Sequence, residues 1–211
     1  MFSRNVITRR GRGFRGKFPS RKLGRMVAGE SITELDGILL LEFSPGVASY
    51  REQPALIRYC DGESVREYYP DFEVVLISGE VIHLEIKTAK ELTKPIVQAK
   101  YRAIAADYTR RQHGFRILTD EEIRQGTLYE NLSLLRSFLH VKPAEMSKLE
   151  WLARFGRDLV QFSVVADVLG HAEVLRLIAW GLAHGDLRLL LAADAKVQLI
   201  DQGGCDATYL L

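Results

Sequence analysis

Asp71-Phe72-Glu73-Val74-Val75-Leu76, then Ile77-Ser78-Gly79, then Glu80-Val81-Ile82-His83-Leu84-Glu85-Ile86-Lys87 is the stretch whose reading decides the fold. Two runs rich in β-branched and apolar residues flank a glycine-containing break, the pattern of an antiparallel hairpin. With a three-residue loop over 77–79 and Gly79 at the left-handed bulge position, Leu76 pairs with Glu80 and Asp71 falls opposite Glu85. One face then carries Phe72, Val74, Leu76, Ile82, Leu84 and Ile86, and the other carries Asp71, Glu73, His83, Glu85 and Lys87. A two-residue Ser78-Gly79 turn would set apolar residues opposite charged ones, so the hydrophobic pattern selects the longer loop.

Directly opposed carboxylates repel across a sheet unless something positive offsets them. A divalent cation would do so, and Mg²⁺ or Mn²⁺ prefers one or two carboxylates with waters and phosphate oxygens around it. Lys87, on the same face two residues beyond Glu85, is placed to orient an attacking water or stabilise charge developing on a phosphate. The competing account of the same spacing is a solvated sheet face whose charges prevent aggregation. His83 shares this face and reads as a neighbour of the site rather than a ligand.

Outward from the hairpin, Ser31-Ile32-Thr33-Glu34 is a capping-box pattern that starts a helix over 31–43, ended by Pro45 and Gly46. Strand-like segments follow at 47–50 and 55–60, with Asp61-Gly62 as a turn. Downstream, 94–112 reads as a helix with Ile96, Ala99, Ala103 and Ala106 on one side, and 115–118 reads as a strand. The order is that of an α/β core, a central mixed sheet flanked by helices.

Composition shifts after about residue 126. Helical periodicity over 128–141 and 144–155 is separated by Pro143. Segments 163–169 and 172–184 around Gly170 look like two helices joined by a tight turn, and 187–191 and 196–200 look like short strands, together a mostly helical, winged-helix-like outline. The second of the two helices has Arg176 as its one firm cation, whereas base-reading helices present several donors, so a protein-docking role is favoured over groove reading. The expected division is a basic flexible arm over 1–28, an α/β domain over 29–126 and the helical domain over 127–211.

The formal net charge is +2, yet nine basic residues and no acidic one fall in 1–28, leaving 20 basic against 27 acidic residues elsewhere. The positive charge is therefore segregated. Arg9, Arg10, Arg12, Arg15, Lys17, Arg21 and Lys22, spaced by glycines and Pro19, are expected to gain order against nucleic-acid phosphate by counterion release. Lys100, with Gln98 and Arg102, is a further candidate on the helix after the active strands. Cys60 and Cys205 are far apart and show neither a disulfide framework nor a zinc spacing. No stretch approaches the roughly 20 apolar residues needed to span a bilayer. A soluble, cytoplasmic protein with no membrane partner is expected.

Pro70-Asp71 with Glu85-Ile86-Lys87 resembles the PD-(D/E)xK signature of restriction-endonuclease-like nucleases. Its surroundings are more specific: Glu30-Ser31 with Glu34-Leu35, Leu41-Glu42-Phe43, Val47, Glu52-Gln53-Pro54, Tyr69-Pro70-Asp71-Phe72 and Leu118-Thr119-Asp120-Glu121-Glu122-Ile123. Together they resemble the TnsA family, the endonuclease subunit of heteromeric, Tn7-like transposases, over about residues 20–124. That resemblance implies Mg²⁺ (with Mn²⁺ able to substitute) held by Asp71, Glu85, the Ile86 carbonyl and, from the first helix, Glu34. It also implies Lys87 as the catalytic lysine. Glu34 has a second account as the third residue of its capping box, and Glu30, one turn earlier, is the substitute. The family can carry Gln where Glu85 stands, so this chain has the commoner superfamily residue.

The function implied is hydrolysis of phosphodiester bonds at transposon ends in double-stranded DNA. Cleavage falls on the 5′ strand and leaves 5′-phosphate and 3′-hydroxyl. The partners implied are a DDE-type transposase and an ATP-dependent transposition regulator. The alternatives are a stand-alone nuclease of restriction, repair or phage type, and a non-catalytic DNA-binding adaptor that keeps the nuclease fold.

Overall fold

The computed structural model describes residues 16–200. The described residues divide into two compact units, 16–123 and 124–200.

The first unit opens with a β-hairpin of β1 (Gly16–Ser20) and β2 (Arg25–Gly29). The expected flexible arm over 1–28 is thus corrected from residue 16 onward, because Phe18 and Val27 are buried and fix one face of this hairpin. Helix α1 (Ile32–Phe43) follows, with the Ser31 hydroxyl accepting from the Glu34 amide at 3.1 Å. Its buried Ile38, Leu39, Leu40, Leu41 and Phe43 form much of the core. Glu42, also buried on α1, accepts from the Ser20 hydroxyl, the Arg21 and Lys22 amides and the Tyr50 hydroxyl, and so ties the hairpin into the core.

Next come β3 (Val47–Glu52), the two-stranded ribbon β4 (Ile57–Cys60) and β5 (Val65–Tyr68), and then β6 (Phe72–Leu76) and β7 (Val81–Lys87). A short helix α2 (Ala89–Leu92), the longer α3 (Pro95–Arg110), β8 (Gly114–Thr119) and α4 (Asp120–Ile123) complete the unit. The central sheet runs β3-β6-β7-β8, antiparallel except for the parallel β7/β8 pair. That parallel pairing requires a crossover, and α2 with α3 supplies it.

The β6/β7 register has Phe72 opposite Leu84, Glu73 opposite His83 and Val74 opposite Ile82. The Leu76 amide donates to the Glu80 carbonyl, the Gly79 amide donates to the Leu76 carbonyl, and Gly79 sits at φ +86°. This is the three-residue loop that the hydrophobic pattern selects. The apolar face of the sheet, with Phe72, Val74, Ile82, Leu84 and Ile86 all buried, packs beneath α1. Gly37 allows that approach, since a Cβ there would overlap the Ile86 Cδ1.

The charged face is covered by α3 and the β4–β5 ribbon through a cluster of Tyr59, Tyr68, Tyr101, Ile104 and Tyr108. The face expected for this helix, Ile96, Ala99, Ala103 and Ala106, is corrected: Ile96 is 80% exposed, whereas Tyr101, Ile104 and Tyr108 are buried. Tyrosine rings carry far more apolar area than alanine methyls, so they set the helix's rotation about its axis.

The second unit contains α5 (Leu128–Arg136), α6 (Lys148–Phe155), β9 (Leu159–Gln161), α7 (Phe162–Leu169), α8 (His171–Ala179), β10 (Ala183–Gly185) and β11 (Lys196–Leu199). Its antiparallel sheet has the order β10-β11-β9. The expected strand over 187–191 is not one, and the strand pairing with β11 on that side lies earlier, at 183–185. Leu187 is instead buried within a loop whose Leu187 and Leu189 carbonyls accept from the Asn131 side chain.

Candidate active site

Register brings the acidic pair together. Counting one step back from the Phe72/Leu84 pair places Asp71 opposite Glu85, and three side-chain contacts locate their carboxylates. Asp71 Oδ2 accepts from the Ile86 amide at 2.7 Å. The Lys87 ammonium lies 2.8 Å from Glu85 Oε1 and 3.6 Å from Asp71 Oδ2. It also donates to the Ile86 carbonyl at 3.1 Å. Main-chain support for Asp71 comes from Gln53, whose amide donates to the Asp71 carbonyl at 2.9 Å from a left-handed backbone at φ +41°. A non-glycine residue in that region is uncommon and is held there by its surroundings.

Electrostatics follow from burial. Asp71 is pushed up to about 8, first by loss of water around the carboxylate and then by the neighbouring Glu85 charge, against the opposing effect of Lys87. Burial of the Lys87 ammonium works to lower its pKa, but Asp71 and Glu85 outweigh it and hold the group above its ordinary value. With both carboxylates ionised, the hairpin mouth has more negative charge than the Lys87 ammonium neutralises.

Glu85 is almost wholly enclosed, and two of its donors were not legible in the strand pattern. The Tyr101 hydroxyl donates to Oε1 and the Tyr68 hydroxyl to Oε2, each at 2.5 Å. Two sequence signals existed: Tyr68 stands three residues before Asp71, and Tyr101 and Tyr108 are two helical turns apart on α3.

Glu34 lies within electrostatic reach of the pair, its charge raising the pKa of Asp71 and Lys87, while its carboxylate is held in a helix cap. Its Oε2 accepts from the Glu30 amide at 2.9 Å and its Oε1 from the Ser31 hydroxyl at 3.1 Å, the geometry of a helix cap. Burial raises its pKa, and among the charges acting on it is Lys87. Among the described residues, no group of three or more His, Cys, Asp or Glu side chains comes together to hold a metal ion. The oxygen donors that do converge are the Asp71 and Glu85 carboxylates and the Ile86 carbonyl. His83, two pairs along the hairpin, contacts the Tyr108 hydroxyl through Nδ1 at 2.6 Å and Glu73 through Nε2 at 3.4 Å, and burial lowers its pKa.

The basic candidates divide. Arg9, Arg10, Arg12 and Arg15 lie outside the described residues. Lys17 and Arg21 are exposed on the first hairpin. Lys22 is removed from the phosphate-binding set: its ammonium donates to the carbonyls of Leu41, Ser44 and Val47 at 3.0, 2.5 and 2.7 Å, closing the end of α1. Lys100 is exposed, 5.3 and 5.0 Å from the Tyr68 and Tyr101 ring centres, a cation at the rim of the site.

Residues 44–120 match the family model of the TnsA-like endonuclease N-terminal domain. This stretch is similar to TnsA-type endonucleases. The matched segment of the TnsA-like domain holds Asp71, Glu85 and Lys87 together with Tyr68 and Tyr101, while Glu34 and the whole second unit lie outside it. No curated protein matches the chain. No helix among the described residues is long and apolar enough to cross a membrane.

Proposed function

We propose that the protein is the endonuclease of a Tn7-like transposition system and hydrolyses a phosphodiester bond of the 5′ strand at transposon ends. The observation that carries this reading is the Asp71 and Glu85 carboxylates and the Lys87 ammonium converging on one sheet face within a TnsA-like domain. A divalent cation fits the donor set: two carboxylates and a carbonyl are hard oxygen donors, and the raised Asp71 proton affinity marks a place that favours added positive charge. Mg²⁺ or Mn²⁺, when bound there, would neutralise phosphate charge and favour ionisation of the attacking water. Asp71 and Glu85 would hold it, with the Ile86 carbonyl beside them. Lys87 keeps its proton, and from this position it would stabilise the negative charge that builds on the phosphate oxygens as water attacks the phosphorus. Glu34, within electrostatic reach of Asp71, would be a further ligand from α1.

DNA would be gripped by the arginines of the N-terminal segment, Lys17, Arg21 and Lys100. A DDE-type transposase would cut the opposite strand. The order helix, strand, helix, helix, strand, strand from α6 to β11 supports a winged-helix reading of the second unit. Its α8 is largely buried, and Arg176 on it is paired with Glu173 at 3.0 Å, which favours docking to a protein such as an ATP-dependent regulator over reading a groove.

Nicking of a plasmid carrying transposon ends, with Mg²⁺ or Mn²⁺ and the transposase subunit present, tests the reading. Asp71→Ala and Lys87→Ala are each expected to reduce the rate at least 100-fold, the order of loss seen when a main charge-stabilising group is removed. Nicking at wild-type rate by both variants would remove the site. An adaptor without catalysis has no need for this buried, mutually repelling pair.

A further inference from the structure

Glu85 has more donors than its hairpin supplies. The residue is 3% exposed, and only the Lys87 ammonium, at 2.8 Å from Oε1, comes from its own strand. The other two are the phenols of Tyr101, on α3, and Tyr68, at the end of β5. Their rings meet edge to face, with centres 6.5 Å apart at 82°, inside the aromatic cluster that covers the charged face. Two separate elements thus deliver one hydroxyl each to the two oxygens of one carboxylate.

Each carboxylate oxygen has two in-plane acceptor positions. Tyr101 and Lys87 take both on Oε1, and Tyr68 takes one on Oε2. We infer that Tyr68 and Tyr101 are positioning residues: they fix the rotation of the Glu85 carboxylate and so hold it ready for a divalent cation shared with Asp71. This inference rests on the nuclease reading above. Donors that orient a ligating carboxylate matter because a ligand held in place need not be ordered when the ion arrives, and their loss typically costs 10–100-fold in metal affinity or activity. A phenol present only to satisfy a buried carboxylate would stabilise the fold without affecting cation binding.

The experiment is a Mn²⁺ titration followed by electron paramagnetic resonance on the full chain. Tyr68→Phe and Tyr101→Phe are each expected to weaken Mn²⁺ binding about 10–100-fold. Tyr59→Phe, which alters the same aromatic cluster at a hydroxyl outside the Glu85 partner set, should leave it unchanged. In a Glu85→Ala background either Phe substitution should change Mn²⁺ affinity less than twofold, because the tyrosines then have nothing to orient. That background also leaves no buried carboxylate short of donors, so the paired variants stay foldable. Phe variants that bind Mn²⁺ as tightly as Tyr59→Phe, or that lose affinity equally with and without Glu85, overturn the inference. If instead Asp71→Ala leaves wild-type Mn²⁺ binding intact, the nuclease site itself falls and the clamp with it. Dependence on Asp71 without dependence on the tyrosines defeats the clamp alone.

Discussion

At the level of single residues, Asp71 carries the clearest thermodynamic signature of a site built for something other than stability. Its folded-state pKa is raised, first by burial and then by Glu85, so the metal-free folded protein binds a proton there that the unfolded chain releases near pH 4. The stability this proton contributes is complete below that value and is lost as pH rises through about 8. Asparagine carries no charge at any of these pH values. Asp71→Asn is therefore expected to melt above the wild type in EDTA at pH 8.5, by an amount on the order of 2 kcal/mol, with the difference shrinking toward pH 5. Added Mn²⁺ should reverse the order by stabilising only the wild type. An asparagine variant that melts lower at pH 8.5 without metal would show that the Asp71 charge is well compensated.

Elements show how much of this was legible beforehand. The β6–β7 hairpin was readable down to its register, because a period-two pattern with one buried face tolerates no slip and Gly79 marks the loop. Asp71, Glu85 and Lys87 came with it. What covers the charged face was not readable, since Tyr68 and Tyr101 meet Glu85 only through the packing of β5 and α3, contacts that no local periodicity encodes. Lys22 misled for a related reason: a lysine in a glycine-spaced basic run resembles its neighbours until the end of α1 is found beneath it. The close seat of α1 on β7 has its own test. Gly37→Ala adds a methyl against Ile86 and should cost about 1–3 kcal/mol from overpacking, offset by up to about 1 kcal/mol of helix propensity. Ile86→Val, which removes the opposing methyl, should recover most of the loss in a double-mutant cycle measured by urea denaturation.

For the molecule as a whole, positive charge is concentrated in the first 28 residues while the rest of the chain is net acidic. Removing residues 1–15 takes away Arg4, Arg9, Arg10, Arg12 and Arg15 but spares β1. The slope of log affinity for duplex DNA against log salt should then fall by about 0.9 for each phosphate that the shortened chain no longer touches. An unchanged slope in a fluorescence-anisotropy titration would exclude phosphate binding by those five arginines.

The hold that Glu42 and the carbonyls at the end of α1 exert on the first hairpin reaches into how the protein is handled. Trypsin recognises Arg21, Lys22 and Arg25 by sequence, yet cleavage needs an extended, unpaired backbone at each of them, and here the Arg21 and Lys22 amides are engaged and Arg25 lies in a strand paired to β1. In the native state these three bonds should outlast brief digestion. The first hairpin should then stay joined to α1 in the digest.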